Sequence, residues 1–175
     1  MTKVTLKLAK GDWVVHNNHG LGQIIGIEIK ERQGEQNLFY MVKTQELTYW
    51  LPAVDSSSAR IRPIADAETF AEALKVAAGE PVAMDTNYRQ RLAAIHARIQ
   101  DSSLLVKAAL IRDIHARNVQ KDIHINEKSQ LELLSKQFIH EWVVACDISE
   151  SKARAELREA LKESSVHLKP KKSPF

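Results

Sequence analysis

The chain has 175 residues, 44% of them hydrophobic, with 25 basic against 22 acidic side chains and a net charge of +3. That length allows one or two domains, and so even a charge balance excludes a protein that coats nucleic acid through bulk charge, leaving DNA contact to a local patch. The single Cys146 excludes an internal disulfide, no apolar run approaches the ~18 to 20 residues a bilayer span needs, and Met1 to Lys10 lacks the apolar block and cleavage site of a secretory signal, so a cytoplasmic protein with no membrane partner is expected.

In chain order, Trp13 to His16, Gln23 to Glu31, Leu38 to Lys43 and Leu47 to Leu51 are rich in Val, Ile, Phe, Tyr, Trp and Thr and are separated by Asn, Gly and Gln clusters. They predict four or five antiparallel strands, with Gly20, Gly22 and Gly26 marking bends or bulges that curl a small sheet. Pro52 ends a strand, Ser56 to Ser58 form a polar loop, and Arg60 to Arg62 make a last short strand. Some sixty residues would only marginally bury a core of their own, so close association with the following segment is expected.

From Asp66 the apolar period changes to that of helices. Phe70, Leu74 and Ala77 form a first stripe, which Gly79 in a left-handed conformation and then Pro81 should stop. A second helix is predicted from about Asn87 to Gln100, capped by Asp85 or Thr86, with Leu92, Ile95 and Ile99 on one side. Leu104, Ala108, Ile111 and Ile114 signal a third. Asn126 caps a fourth carrying Leu131, Leu134, Phe138, Trp142 and Ala145, and Ser149 caps a fifth carrying Ala153, Leu157 and Leu161. The expected organisation is a strand-rich domain over 1–65, a helical domain over 66–163 and a disordered basic tail over 164–175.

Several residues invite a functional reading. Tyr88, at a helix start between two arginines in Asn87-Tyr88-Arg89-Gln90-Arg91, suits an aromatic pressed into a DNA minor groove while guanidiniums hold the backbone. It also shares a helical face with Leu92, Ile95 and Ile99, as a core tyrosine would. His16 and His19 could seat a metal, but no third ligand is near in sequence, and a polar hairpin turn explains them more cheaply. His96, His115, His124 and His140 lack a metal or catalytic motif, and Cys146 reads as a structural thiol. Tyr49 and Trp50 must face opposite sides of the sheet, so one is an exposed interface anchor. Arg112, Arg117, Lys121, Lys128 and Lys136 form a basic cluster in the third and fourth helices. No phosphate-cradling glycine loop, nucleophile elbow or paired-carboxylate motif is present, so no catalysis and no cofactor are expected.

The order of these segments resembles the CarD/CdnL family of bacterial transcription regulators. The residues that carry the likeness are Gly11-Asp12 with Val14-Val15 and His19-Gly20, Gly34-Glu35-Gln36, Leu51-Pro52, Thr86-Asn87-Tyr88 with Arg91, Arg112-Asp113, Glu127-Lys128, and Ser149-Glu150 with Ala153. It implies an α+β fold, a small Tudor-like antiparallel β-barrel followed by an all-α bundle of about five helices. The barrel, shared with the polymerase-interacting domain of the transcription-repair coupling factor, would bind the β-subunit lobe of RNA polymerase. The helices would meet promoter DNA at the upstream edge of the bubble, where an aromatic wedge, usually tryptophan, enters the minor groove and prolongs the open complex. The resemblance puts Tyr88 at the wedge position, with Arg89 beside it and Arg91 and Lys128 at basic DNA-side positions. Ala93 stands where a basic residue often occurs. Lys30 and Trp50 occupy two positions at which some relatives place arginines against the polymerase. A monomer is expected. Two other readings remain: a protein-interaction adaptor whose helices bind a protein, and a metal-dependent enzyme using His16 and His19.

Overall fold

The computed structural model describes residues 8–32, 34–53 and 60–168, so the Ser56 to Ser58 loop, the first seven residues and the tail beyond Leu168 lie outside the described residues. The chain divides between Ile64 and Ala65 into two compact units.

The first unit is a five-stranded antiparallel sheet. Its strands are β1 (Trp13–His16), β2 (Gly20–Arg32), β3 (Glu35–Lys43), β4 (Thr48–Pro52) and β5 (Ile61–Pro63), in the order β4-β3-β2-β1-β5. Alternation sets one face inward, where Val14, Ile24, Tyr40, Val42, Leu51 and Ile61 form the core. The register of β2 against β3 slips between Ile24 and Gly26, a bulge at one of the expected glycines. Gly20 and Gly34 have positive φ in the two hairpin turns. Gly22 serves close approach instead: a Cβ there would sit 2.6 Å from Val42 Cγ1.

The second unit holds α1 (Ala67–Ala78), α2 (Tyr88–Ile99), α3 (Leu104–Gln120), α4 (Ile125–Cys146) and α5 (Glu150–Ser165). An antiparallel sheet unit followed by five helices is the α+β architecture that the periodicity and the resemblance imply. Phe70, Ala77, Ile95, Ile111, Ile114, Leu134, Phe138, Trp142, Ala153 and Leu157 belong to one continuous helical core. Phe70 stacks on Trp142 at 5.6 Å and meets Phe138 edge-on at 5.5 Å.

Several helix ends differ from the sequence expectation. Asp66 and Ser149 cap α1 and α5, but Gly79 is extended (φ −70°), and the left-handed stop falls on Asp147 (φ 50°) after α4. Asn87 caps α2 by accepting from the Arg89 and Gln90 N–H groups, while Asp85 accepts from the Asn87 N–H one step earlier. His124, not Asn126, caps α4: its Nδ1 accepts from the Asn126 N–H, and Glu127 accepts from the His124 N–H. Helix α5 runs to Ser165, two residues into the expected tail, and buries Ser164 there.

Helix α2 turns the expected face inward, with Ile95 in the core and Ile99 packed against it, but that face also buries a charge. Its buried residues are Arg91 and Ile95, whereas Leu92 lies outside the core cluster. Two ion pairs add to these apolar contacts. Arg91 pairs with Glu127 of α4, and Arg98 pairs with Asp113 of α3 at 2.8 Å.

Candidate nucleic-acid interface

Tyr88 is the first residue of α2, placed there because Asn87 closes the preceding turn and satisfies two of the helix's orphan N–H groups. Its ring belongs neither to the helical core nor to the apolar side chains packed against it. It lies instead over the His124 ring, centroids 4.6 Å apart, with the Arg91 guanidinium 5.7 Å from its centroid. Its hydroxyl is within hydrogen-bonding distance of His124 Nδ1 (3.3 Å) and of Asn126 Nδ2 (3.0 Å). Tyr88 therefore sits at the edge of the unit, partly exposed, against the start of α4. Two helix N-termini, those of α2 and α4, thus converge on one tyrosine, and their dipoles favour negative charge nearby.

Arg89 and Lys128 are exposed on these same two first turns, where a phosphate backbone can reach them. Arg91 is elsewhere. Expected on the DNA side, it is 4% exposed, and its guanidinium is fully committed. Nε and Nη2 donate to the two Glu127 carboxylate oxygens at 2.5 and 3.1 Å, and Nη1 donates to the Asp85 and Thr86 carbonyls at 2.8 and 3.1 Å. Glu127, with no exposed surface, also accepts from the His124 N–H at 3.0 Å. These hydrogen bonds, those from Arg91 foremost, hold its carboxyl below the usual carboxylate range. A buried bidentate pair of this kind positions the loop, the start of α2 and the start of α4 together. Arg91 is thus a positioning residue for Tyr88, and no part of it is free to bind phosphate.

The rest of the basic cluster divides. Arg112 is buried against Asp113 and the Val76 carbonyl, and Arg117 lies 3.9 Å from Glu127, whereas Lys121 is exposed. Sequence reasoning missed two partners of Tyr88 and the exposed residue between them. His124 and Asn126 hold its hydroxyl, and Ile125 between them is 66% exposed, an apolar side chain standing in solvent at the same helix start. Only the exposed position of Ile125 on the helix could have flagged it, and the period alone does not show that.

In the sheet unit, Trp50 and Tyr49 take opposite faces. Trp50 is 45% exposed and stands with Glu28, Lys30, Phe39 and Met41 on the outer face. Its Nε1 donates to Glu28 at 2.9 Å, and Lys30 Nζ lies 3.8 Å from its ring centroid and 3.6 Å from Glu28. The two polymerase-side residues expected from the resemblance thus make one patch, an indole held flat by an ammonium and a carboxylate. On the inner side, Tyr49 packs on His19 and His16 with centroids 4.7 and 5.7 Å apart, and burial pushes its phenol up to about 12. His16 Nδ1 accepts from the Asn18 and His19 N–H groups, so its ring shapes the hairpin turn. Among the described residues, no group of three or more His, Cys, Asp or Glu side chains is arranged to hold a metal, and no helix is long and apolar enough to cross a membrane. Cys146 is partly buried, and burial pushes its thiol up.

Two domain models match the chain. The CarD-like/TRCF RID domain covers residues 8–65 and the CarD C-terminal domain residues 72–158. A Bacillus subtilis (strain 168) protein named "Putative transcription factor YdeB" is 24% identical over 147 residues, 83% of this chain and 96% of that protein.

Proposed function

The chain belongs to the CarD-like family, and on that footing we propose that it is a non-enzymatic, cytoplasmic transcription regulator. It binds the β-subunit lobe of RNA polymerase through the sheet unit and stabilises the promoter open complex through the helical unit. The observation that carries this reading is the position of Tyr88, an aromatic ring outside the core at a helix N-terminus, flanked by exposed Arg89, Lys128 and Ile125. A ring that packed the core would have nothing to offer a duplex. One that stands at the edge can enter a minor groove where base pairs have begun to part, while the two cations hold the adjacent phosphates.

The mechanism is differential binding. Contacts available only at a melted edge favour the open state over the closed one, and a coupling of ~1 to 3 kcal/mol shifts that equilibrium about 5- to 150-fold. The Trp50–Lys30 patch is the polymerase anchor, an aromatic hot spot of the kind that dominates interface energy. The test is the lifetime of promoter open complexes formed by bacterial RNA polymerase and challenged with competitor. The full-length chain should lengthen that lifetime, and Tyr88→Ala should remove most of the effect while the protein stays folded. Wild-type protein at saturation that leaves the lifetime unchanged overturns the reading. A Tyr88→Ala protein as active as wild type would point to helices that serve a protein partner.

A further inference from the structure

We propose that Tyr88 is latched in the free protein, and that Asn126 and His124 set how readily its ring enters a duplex. The inference rests on the wedge role above and adds two residues to it. His124 Nδ1 accepts from the Asn126 N–H at 3.3 Å, so that nitrogen carries no proton of its own. The Tyr88 hydroxyl, 3.3 Å from the same nitrogen, therefore donates to it as well, sharing its one lone pair with the Asn126 N–H. The Asn126 side-chain amide donates to the phenol oxygen at 3.0 Å. One ordered chain results, from Asn126 Nδ2 through the Tyr88 oxygen to His124 Nδ1, with the phenol using its proton and a lone pair at once. The ring face is covered as well, since the imidazole centroid lies 4.6 Å away.

The hydroxyl is the outermost atom of the tyrosine and must lead on insertion. Entry between base steps thus breaks both hydrogen bonds and slides the ring off His124. Latching opposes the wedge, so removing the latch while keeping the ring strengthens function. This sign separates a latch from a support: residues that merely held the ring in a productive pose would weaken it when lost.

The measurement uses the full-length chain with RNA polymerase on a promoter, reading open-complex lifetime after competitor challenge and melting temperature of the free protein. Both latch residues and the hydroxyl are near solvent, so each bond counts at the low end of its usual net worth. Tyr88→Phe, which loses both bonds, should lengthen the lifetime about fivefold beyond wild type, and Asn126→Ala, which loses one, about twofold. His124→Ser, which keeps a capping acceptor for α4, should act in the same direction. Combining Tyr88→Phe with Asn126→Ala should add nothing to Tyr88→Phe alone, because the amide then has no phenol to hold. The latch is overturned if Tyr88→Phe and Asn126→Ala leave the lifetime unchanged or shorten it while Tyr88→Ala abolishes the effect; the wedge then survives without it. A Tyr88→Ala protein with full activity removes the wedge and the latch together.

Discussion

Replacing Arg91 by alanine tests whether this arginine touches DNA or holds the fold. Glu127 has no exposed surface. Without Arg91 its carboxylate keeps only the His124 N–H at 3.0 Å and the Arg117 guanidinium at 3.9 Å. Removing one partner of a buried ion pair costs about 3 to 5 kcal/mol, and the lower figure applies here because Arg117 is close enough to turn inward. For a helical unit of this size each kcal/mol shifts the midpoint by about 4 to 8 °C, so Arg91→Ala should lower its melting by roughly 12 to 24 °C. Far-UV circular dichroism reads that transition from the helices, apart from the sheet unit, which need not unfold with them.

The decisive arm is the double variant Arg91→Met, Glu127→Leu. It removes the cation together with the charge that needs it, and replacing a buried pair by apolar groups is often neutral or stabilising. If Arg91 acts only through Glu127, the double variant recovers both melting temperature and binding to a forked promoter fragment. A direct phosphate contact gives the opposite: fork binding stays lost in the double variant. A single variant that melts like wild type yet binds no fork would refute the positioning role altogether.

Other outcomes follow from the sheet unit. Gly22→Ala puts a methyl where Val42 Cγ1 lies 2.6 Å away in a fully buried site, so it should destabilise that unit by about 1 to 3 kcal/mol in chemical denaturation. Trp50→Ala removes an exposed anchor, and should weaken polymerase binding by about 2 kcal/mol or more, measured by equilibrium titration, with little loss of stability. His16 is pushed down to about 4, first by burial and then by His19 and Arg60. Its folded pKa lies below the ordinary histidine value, so the unfolded chain takes up a proton that the folded chain refuses. Stability should fall as pH drops from about 6.5 to about 4, by on the order of 2 kcal/mol for a half-screened ring. His16→Asn, which keeps an acceptor for the turn, should flatten that part of the pH profile.

Much of this fold is legible in the chain because it depends on local chemistry. Alternating apolar residues place β1 to β4, Gly26 supplies the bulge, and Asp66 and Ser149 announce two helix starts. What escapes depends on partners far away in sequence. Arg91 can be buried on the apolar face of α2 because Glu127, 36 residues on, neutralises it, and no period within α2 carries that information. The cap of α4 falls two residues before the expected one because an imidazole nitrogen can accept a backbone N–H as a carboxamide would. The left-handed stop falls on Asp147 and not on Gly79, since Gly79 N–H bonds the Val76 carbonyl from an extended conformation. Tyr88 had two readings because sequence spacing puts it on one face with Ile95. Its place in the first turn, against His124 and Asn126 and not against the core, leaves that tyrosine at the edge.

The same burial bears on how such a protein would reach DNA. Arg91 and Arg112 look like surface cations in the sequence, yet both spend their charge on carboxylates inside the helical unit. The exposed cations on the first turns of α2 and α4 are Arg89 and Lys128, and two phosphate contacts are too few for tight binding to duplex DNA in salt. A wedge so weakly attracted is useful only when something else brings it to the bubble. An anchor on polymerase does this by raising the local concentration of the helical unit, so that each contact at the melted edge acts as an intramolecular one. Low free affinity would then become a source of selectivity: under the proposed function such a protein would stay off the bulk of the chromosome and act where polymerase has begun to open a promoter.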